Sequence, residues 1–320
     1  MQDAFGRKID YLRVSITDRC NLRCIYCMPP TGVQWVQHNE VLSFEETLRI
    51  CTVAASMGIE KIKVTGGEPL VRRGIIDFIR GLKKIHGIKT VSITTNALFL
   101  EKYLDNLVNA GLDAVNISLD TLNEKTFFKI TKNSDFAQVM RSVDAVLKTN
   151  LNIKINCVPI KGINDDDIIP ICKLASKNNI TVRFIELMPL GFAADLCPIK
   201  ESDVKDKIEK ELGCLNPYNI KIGNGPAAYY SFKKFPGKIG FISALSCKFC
   251  AECNRMRLTG TGLLKPCLSS DVAVDVKGVI RSGGSDVDLQ TAIGTALILK
   301  PQQHTFADVK QTTNMYKIGG

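Results

Sequence analysis

The stretch Cys20-Asn21-Leu22-Arg23-Cys24-Ile25-Tyr26-Cys27 reads C-x3-C-x2-C, with an aromatic residue just before the last cysteine. Three thiols this close can ligate one metal centre from a single short loop. Iron–sulfur clusters are held by cysteine thiolates, and a [4Fe–4S] cube carries four irons. Three protein ligands leave the fourth iron open, and an open position is the mark of a catalytic centre. The competing readings are a structural zinc site and three unrelated buried cysteines. Zinc takes four ligands, usually in C-x2-C pairs, so this spacing fits it poorly.

The surroundings of that stretch point to an α/β architecture. Apolar, β-branched strand candidates lie at Tyr11–Ile16, Glu60–Thr65, Lys89–Thr95, Asp113–Ser118, Asn152–Val158 and Thr181–Leu187. Amphipathic helix candidates alternate with them: Glu45–Met57, Gly74–His86, Leu100–Asn109, Phe136–Thr149, Asp165–Lys177 and Glu201–Glu211. Such alternation favours parallel βαβ units. An eight-unit barrel takes about 250 residues, so residues 11 to 212 fit about six units, an incomplete TIM-like barrel. A doubly wound open sheet is the alternative. Both folds put ligands at the carboxyl ends of the strands, where Cys20 sits. After Leu212 the pattern changes. Short apolar segments, Ala228–Phe232 and Lys238–Ser243, separated by Gly and Pro, suggest hairpins and a β-rich extension. The expected boundary is near residue 215, giving units 1–215 and 216–320.

Composition narrows the class. Charged residues are 23% and hydrophobic ones 45%, the balance of an ordinary soluble globular protein. No apolar run reaches the roughly 18 residues of a membrane helix. The segment Met1 to Asp10 has no apolar signal core, so a cytoplasmic location is expected. Twelve cysteines are then better read as metal ligands than as disulfides. The net charge of +10 permits an anionic partner, although basic solvated surfaces also produce such an excess.

Gly66-Gly67-Glu68-Pro69 follows the second strand candidate. Paired glycines let a ligand approach the backbone, and exposed carbonyls beside a carboxylate suit an ammonium group. Placed one βα unit after C-x3-C-x2-C, the motif resembles that of the radical S-adenosylmethionine (SAM) superfamily. In that superfamily the open iron holds the amino and carboxylate groups of SAM, and the cluster reduces SAM to release a 5′-deoxyadenosyl radical. Ser118 and Met188, ending the fourth and sixth strand candidates, stand where that superfamily contacts SAM. A turn role for Ser118 and an apolar filling role for Met188 are the alternatives.

A second set, Cys250-x2-Cys253-x13-Cys267, also offers three ligands, and Cys247 extends it to C-x2-C-x2-C. A four-cysteine zinc ribbon stays open here, since S4 coordination suits zinc and iron–sulfur alike. Arg255 and Arg257 alternate in an extended segment, so their guanidiniums share a face. Paired arginine forks suit phosphate oxygens, with surface ion pairing as the alternative.

Two such triads about 220 residues apart, with Cys253-Asn254-Arg255-Met256-Arg257-Leu258 in the second, resemble the GTP 3′,8-cyclase family of molybdenum cofactor biosynthesis. The likeness runs from Leu12-Arg13-Val14-Ser15-Ile16-Thr17-Asp18-Arg19-Cys20 to Ile318-Gly319-Gly320. It implies a cytoplasmic lyase with two [4Fe–4S] clusters, one binding SAM and the other binding GTP across a barrel cavity. Cys20, Cys24 and Cys27 would ligate the first cluster, and Cys250, Cys253 and Cys267 the second. Tyr26, Gly67, Ser118 and Met188 would contact SAM. Arg13, Lys63, Thr94, Lys154, Arg255, Met256 and Arg257 would contact GTP, with Arg13, Arg255 and Arg257 also acting in catalysis. Lys63 stands where the family often has Arg, which keeps the charge and loses the fork. Ala97 stands where the family often has Gly, with little consequence expected. The resemblance also implies an external electron donor such as flavodoxin or ferredoxin and a downstream cyclic pyranopterin monophosphate synthase. It leaves a homodimer open and implies neither nucleic acid nor membrane as partner. A peptide-modifying radical SAM enzyme and a zinc-ribbon nucleic-acid-binding module are the rival readings. The module has against it an aromatic content of only 7% and the lack of a basic run.

Overall fold

The computed structural model describes residues 1–304, 306 and 314–319. The expected six strands form in order: β1 (Tyr11–Ser15), β2 (Lys61–Thr65), β3 (Thr90–Thr95), β4 (Ala114–Ser118), β5 (Asn152–Cys157) and β6 (Thr181–Ile185). Each pairs in parallel with the next. The helices between them are α1 (Phe44–Ser56), α2 (Ile75–Lys84), α3 (Leu100–Asn109), α4 (Glu124–Thr131), α5 (Phe136–Val146) and α6 (Ile168–Lys177), followed by α7 (Glu201–Leu212). Helix α4 has no counterpart among the sequence-read helices. It is only 8 residues long, capped by Asn123, whose Oδ1 accepts from the Thr126 amide at 3.0 Å.

The chain after residue 215 enters the same sheet at both edges. It contributes β7 (Asn216–Tyr218), β8 (Ala228–Ser231), β9 (Lys238–Ile242), β10 (Arg255–Leu258), β11 (Leu263–Lys265) and β12 (Val274–Asp275). Helices α8 (Val276–Arg281), α9 (Asp286–Ile298) and α10 (Met315–Ile318) complete it. Strands β7, β8 and β9 make the expected antiparallel hairpins. Strand β9 also pairs in parallel with β6, and β10 in parallel with β1. The order is β12-β11-β10-β1-β2-β3-β4-β5-β6-β9-β8-β7, an arc of eight parallel strands with antiparallel ends. It is a partial barrel, longer by β9 and β10 than the six strands expected, and the sheet does not close.

The period-two alternation of a strand sends successive side chains to opposite faces. Leu12, Val14, Ile62, Val64, Val91, Ile93, Val115, Ile117, Ile155 and Val182 are buried in the layer shared with the helices. The alternate positions are polar: Arg13, Lys63, Ser92, Thr94, Asn116, Ser118, Lys154, Asn156 and Arg183. A parallel sheet covered on both faces normally reads as continuous hydrophobic runs. The polar inner row therefore marks a barrel lumen built to hold a polar ligand. Among the described residues no helix is long and apolar enough to cross a membrane.

Candidate active site

The first cysteine stretch is a loop between β1 and α1, held from three sides. The last carbonyls of α4 have no partner within their helix, and they receive the loop instead. The Arg23 amide donates to the Thr131 carbonyl at 2.8 Å, and the Ile25 amide to the Ile130 carbonyl at 3.0 Å. The Tyr26 hydroxyl donates to Asp120 Oδ2 at 2.6 Å, while Asp120 Oδ1 accepts from the Val158 amide at 2.8 Å. Asn96 donates to Asn21 at 2.8 Å and lies 3.8 Å from Cys20 Sγ.

The glycine pair acts by close approach rather than by an unusual φ. A Cβ on Gly67 would lie 2.6 Å from the Asp18 carbonyl oxygen and collide with that of Arg19. A Cβ on Gly66 would lie 2.7 Å from the Thr17 carbonyl oxygen. Without side chains, the Gly67 amide donates to the Thr17 carbonyl at 2.7 Å and the Glu68 amide to that of Arg19 at 2.8 Å. The loop after β2 is thus laid directly against the loop carrying Cys20. Glu68 is committed within the protein: Oε1 accepts from Thr95 Oγ1 at 2.8 Å and the Leu70 amide at 3.0 Å, and Oε2 from the Asn96 amide at 2.7 Å. Burial lifts its carboxyl to about 7, although those donors oppose the rise.

One cavity of about 320 Å³ brings the predicted residues together. All six predicted cluster cysteines line it, as do Arg13, Tyr26, Lys63, Gly67, Thr94, Ser118, Met188, Arg255 and Arg257. Thr94 and Thr95 both face it, and the Thr95 hydroxyl is already engaged by Glu68 and the Ala97 amide. Met256 is a core residue, 1% exposed, on the opposite face of β10. Lys154 does not line this cavity. Its Nζ donates to the Ile222 carbonyl at 3.0 Å, and the residue lines a second pocket of about 460 Å³. Cys247 is exposed and is not among the residues lining the cavity.

The donor sets fit cubane clusters. All six thiols are free and line one cavity, and each triad offers the soft thiolate ligands that iron–sulfur clusters take. A cube presents a separate iron to each thiolate. Burial, then Glu68, pushes the Cys20 thiol up to about 11; burial, then Cys20, pushes Cys27 up to about 12. Cys24 rises well above the usual thiol range through burial, then Cys27, Asp120 and Cys20. Thiolates so placed repel one another and need a cationic group to stay ionised together. Around Cys253 burial is outweighed by Arg255 and Lys300, and the thiol falls to about 7.

Between the triads the lumen is cationic. Strand register sets Arg257, Arg13 and Lys63 side by side across β10, β1 and β2. Arg183, unforeseen from the sequence, joins them from β6. Its Nε donates to Asn156 Oδ1 at 2.9 Å and its Nη2 to Asn116 Oδ1 at 2.9 Å. The signal was present: an arginine between Val182 and Phe184 in an apolar strand. Burial lowers the Arg13, Lys63, Arg183 and Arg257 values, with repulsion from neighbouring cations adding to the effect for Arg13, Lys63 and Arg257. Lys63 falls well below the ordinary lysine range. Lys154, beside Arg183, falls to about 7, burial being the larger cause. Buried like charges destabilise one another, so this arrangement calls for a polyanion.

Three further residues escaped the sequence reading. Asp120 anchors Tyr26, as above. Lys300 lies beside the second triad. His304 lines the cavity with its Nε2 2.5 Å from the Ala244 carbonyl oxygen and its Nδ1 buried without a partner among the described residues. The tail enters the same space. Met315 and Tyr316 line the cavity, and Gly319 packs on Ser15 and Thr65. Gly320 lies outside the described residues.

Known proteins show the same organisation. Residues 14–175 match the Radical SAM superfamily model and residues 180–306 the Molybdenum Cofactor Synthesis C model. GTP 3′,8-cyclases of Petrotoga mobilis and Thermodesulfovibrio yellowstonii are each 44% identical, over 100% of this chain and 100% of their own. That of Clostridium perfringens is 41% identical with the same coverage. Among solved structures, Streptococcus suis SuiB bound to S-adenosylmethionine aligns with a TM-score of 0.62 at 16% identity, covering 89% of this chain and 68% of that one. This last likeness speaks for the fold alone. The chain belongs to the GTP 3′,8-cyclase family of the radical SAM superfamily.

Proposed function

We propose that this chain is a GTP 3′,8-cyclase, a lyase forming (8S)-3′,8-cyclo-7,8-dihydroguanosine 5′-triphosphate in the first step of molybdenum cofactor biosynthesis. The observation that carries this reading is the cationic row Arg257–Arg13–Lys63, with Arg183 and Arg255, lining one cavity with two cysteine triads. A peptide substrate has no use for such a row. A triphosphate neutralises it.

Cys20, Cys24 and Cys27 would hold one [4Fe–4S] cluster and Cys250, Cys253 and Cys267 the other. With SAM bound at the first, this pair supplies a 5′-deoxyadenosyl radical that takes a hydrogen atom from the substrate. Tyr26, Gly67, Ser118 and Met188 are the proposed SAM contacts. Residues 1–215 would form the SAM-binding unit and residues 216–320 the unit that adds the second cluster. The protein's part is positioning and exclusion of water. Guanine at the second triad and triphosphate at Arg13, Lys63, Arg183, Arg255 and Arg257 fix GTP at both ends. Thr94 contacts it from β3, and Lys154 joins by exchanging the Ile222 carbonyl for a phosphate oxygen. The ribose is suspended between the ends, opposite the SAM site, which confines its motion. Loss of the C3′ hydrogen lets C3′ attack guanine C8, and one further electron and a proton complete the ring. A flavodoxin or ferredoxin is the proposed donor, and a cyclic pyranopterin monophosphate synthase the consumer of the product.

GTP deuterated only at C3′ tests the assignment. The label should pass to 5′-deoxyadenosine, with a cyclised nucleotide as co-product. Unlabelled 5′-deoxyadenosine formed alongside that product would overturn it.

A further inference from the structure

The second triad is gathered by two buried cations that the proposed reaction does not itself use. Lys300 follows α9 and is 3% exposed. Its Nζ donates to the Arg255 carbonyl at 2.7 Å and the Pro266 carbonyl at 2.7 Å, and lies 3.6 Å from Cys253 Sγ. Three acceptors match the three N–H bonds of an ammonium, which has no lone pair of its own. They come from two arms of the site: Cys253 lies two residues before Arg255, which opens β10, and Pro266 directly precedes Cys267.

Arg7 supplies the third arm. Its Nη1 donates to the Cys250 carbonyl at 2.9 Å and the Gln302 carbonyl at 2.9 Å, and its Nη2 to the Pro301 carbonyl at 2.7 Å. Its Nε pairs with Asp3 Oδ2 at 2.6 Å. Pro301 and Gln302 directly follow Lys300. One guanidinium therefore fixes both the Cys250 arm and the backbone that aims the ammonium.

We infer that Lys300, aimed by Arg7, is the positioning residue of the second cluster: it draws the three ligand arms together and sets the cluster's reduction potential through Cys253. The inference rests on the reading that Cys250, Cys253 and Cys267 hold a [4Fe–4S] cluster. Iron–sulfur potentials respond to hydrogen bonds at sulfur, to net charge and to solvent exposure. A buried ammonium at one ligand sulfur favours the more negative, reduced cluster, so its removal lowers the potential. A lysine that merely filled space would leave the potential alone.

The test uses the anaerobically reconstituted full-length chain, iron counting, and a redox titration of the second cluster followed by electron paramagnetic resonance. Wild type should bind about 8 irons; a wild-type value near 4 would overturn both this inference and the two-cluster reading. Lys300→Met should either drop to about 4 irons, or keep about 8 with a lower midpoint potential. In both cases the signal of the first cluster stays unchanged. Lys300→Arg, which keeps the charge, should move the potential less. Two clusters in Lys300→Met with an unaltered potential and signal would overturn the inference alone. Should that variant fail to fold, Arg7→Lys decides: it keeps the charge and loses the fork, and it should lower the same potential. An unchanged potential there would likewise sink the assignment.

Discussion

Arg257 donates from Nη1 to the carbonyl oxygen of Gly319 at 2.9 Å, tying the tail to a wall of the cationic row. Gly319 has φ +78°, and a Cβ there would lie 2.9 Å from Ser15 Cβ and collide with Thr65 Oγ1. Gly319→Ala should therefore displace the tail, while both clusters still load. We expect cyclised nucleotide to fall by more than tenfold and 5′-deoxyadenosine formation to fall less. Quantifying both products in one reaction checks this; wild-type coupling between them would make the tail a passenger.

With the triphosphate placed as proposed, Arg255→Ala and Arg257→Ala should each remove a charge-assisted bond to phosphate, worth on the order of 1.5–3 kcal/mol. GTP affinity should drop about ten- to a hundredfold in each, at about 1.4 kcal/mol per decade. Calorimetry on the loaded chain measures it. Binding at wild-type strength would show that these arginines do not meet the triphosphate.

With GTP seated on the cationic row as proposed, its binding should take up protons above neutral pH. Lys154 is held down to about 7 and Lys63 well below its ordinary value, chiefly by burial. A bound triphosphate raises both again. The complex thus holds more protons than the free protein, and affinity must fall as pH rises through about 7. Lys154→Arg should reduce the uptake, because arginine stays charged throughout. Calorimetry in buffers of different ionisation enthalpy counts the protons, and zero uptake at pH 8 would refute the assignment.

Gly67→Ala should prevent the first cluster from loading. The added carbon lies 2.6 Å from the Asp18 carbonyl oxygen, and backbone on both sides leaves no room to yield. Expected iron falls from about 8 to about 4 per chain, with SAM cleavage lost. Full iron content and normal cleavage would show that the two loops can separate at no cost.

Ala97 lies in the left-handed region, φ +68°, and is fully buried. The conformation costs a non-glycine residue about 1–2 kcal/mol. Ala97→Gly would relieve this, lose a buried methyl worth about 0.8 kcal/mol and add backbone entropy of about 0.5–1 kcal/mol to the unfolded chain. The terms nearly cancel, so Ala97→Gly should lie within about 1 kcal/mol of wild type. Ala97→Val should lose about 2 kcal/mol or more, since a β-branched residue tolerates neither the φ nor the packing. Denaturant unfolding of the metal-free chain measures both.

Much of the site is legible in the amino-acid sequence because its groups are close neighbours along the chain. Cys20 to Cys27, Gly66 to Glu68 and Cys253 to Arg257 each carry their spacing within a few residues, and strand periodicity says which side chains share a face. The six βα units are legible for the same reason: apolar alternation is a local pattern. The outer strands of the arc are not. Strand β10 pairs with β1, and β9 with β6, across separations that no periodicity encodes. Their pairing turns a six-stranded arc into a lumen with arginines on two walls.

The chain's chemistry is written in its sequence: two cysteine triads, a glycine pair and paired arginines, each a short run whose geometry follows from backbone periodicity. Which distant groups meet is a property of the tertiary fold alone. Arg183 reaches the row of Arg13 and Lys63, Asp120 takes the hydroxyl of Tyr26, Arg7 reaches the Cys250 carbonyl, and Lys154 turns instead to Ile222. The cause is that strand register and loop packing, set by burial of the apolar face over the whole sheet, fix the inward polar side chains. That information is spread over every strand and belongs to no single stretch.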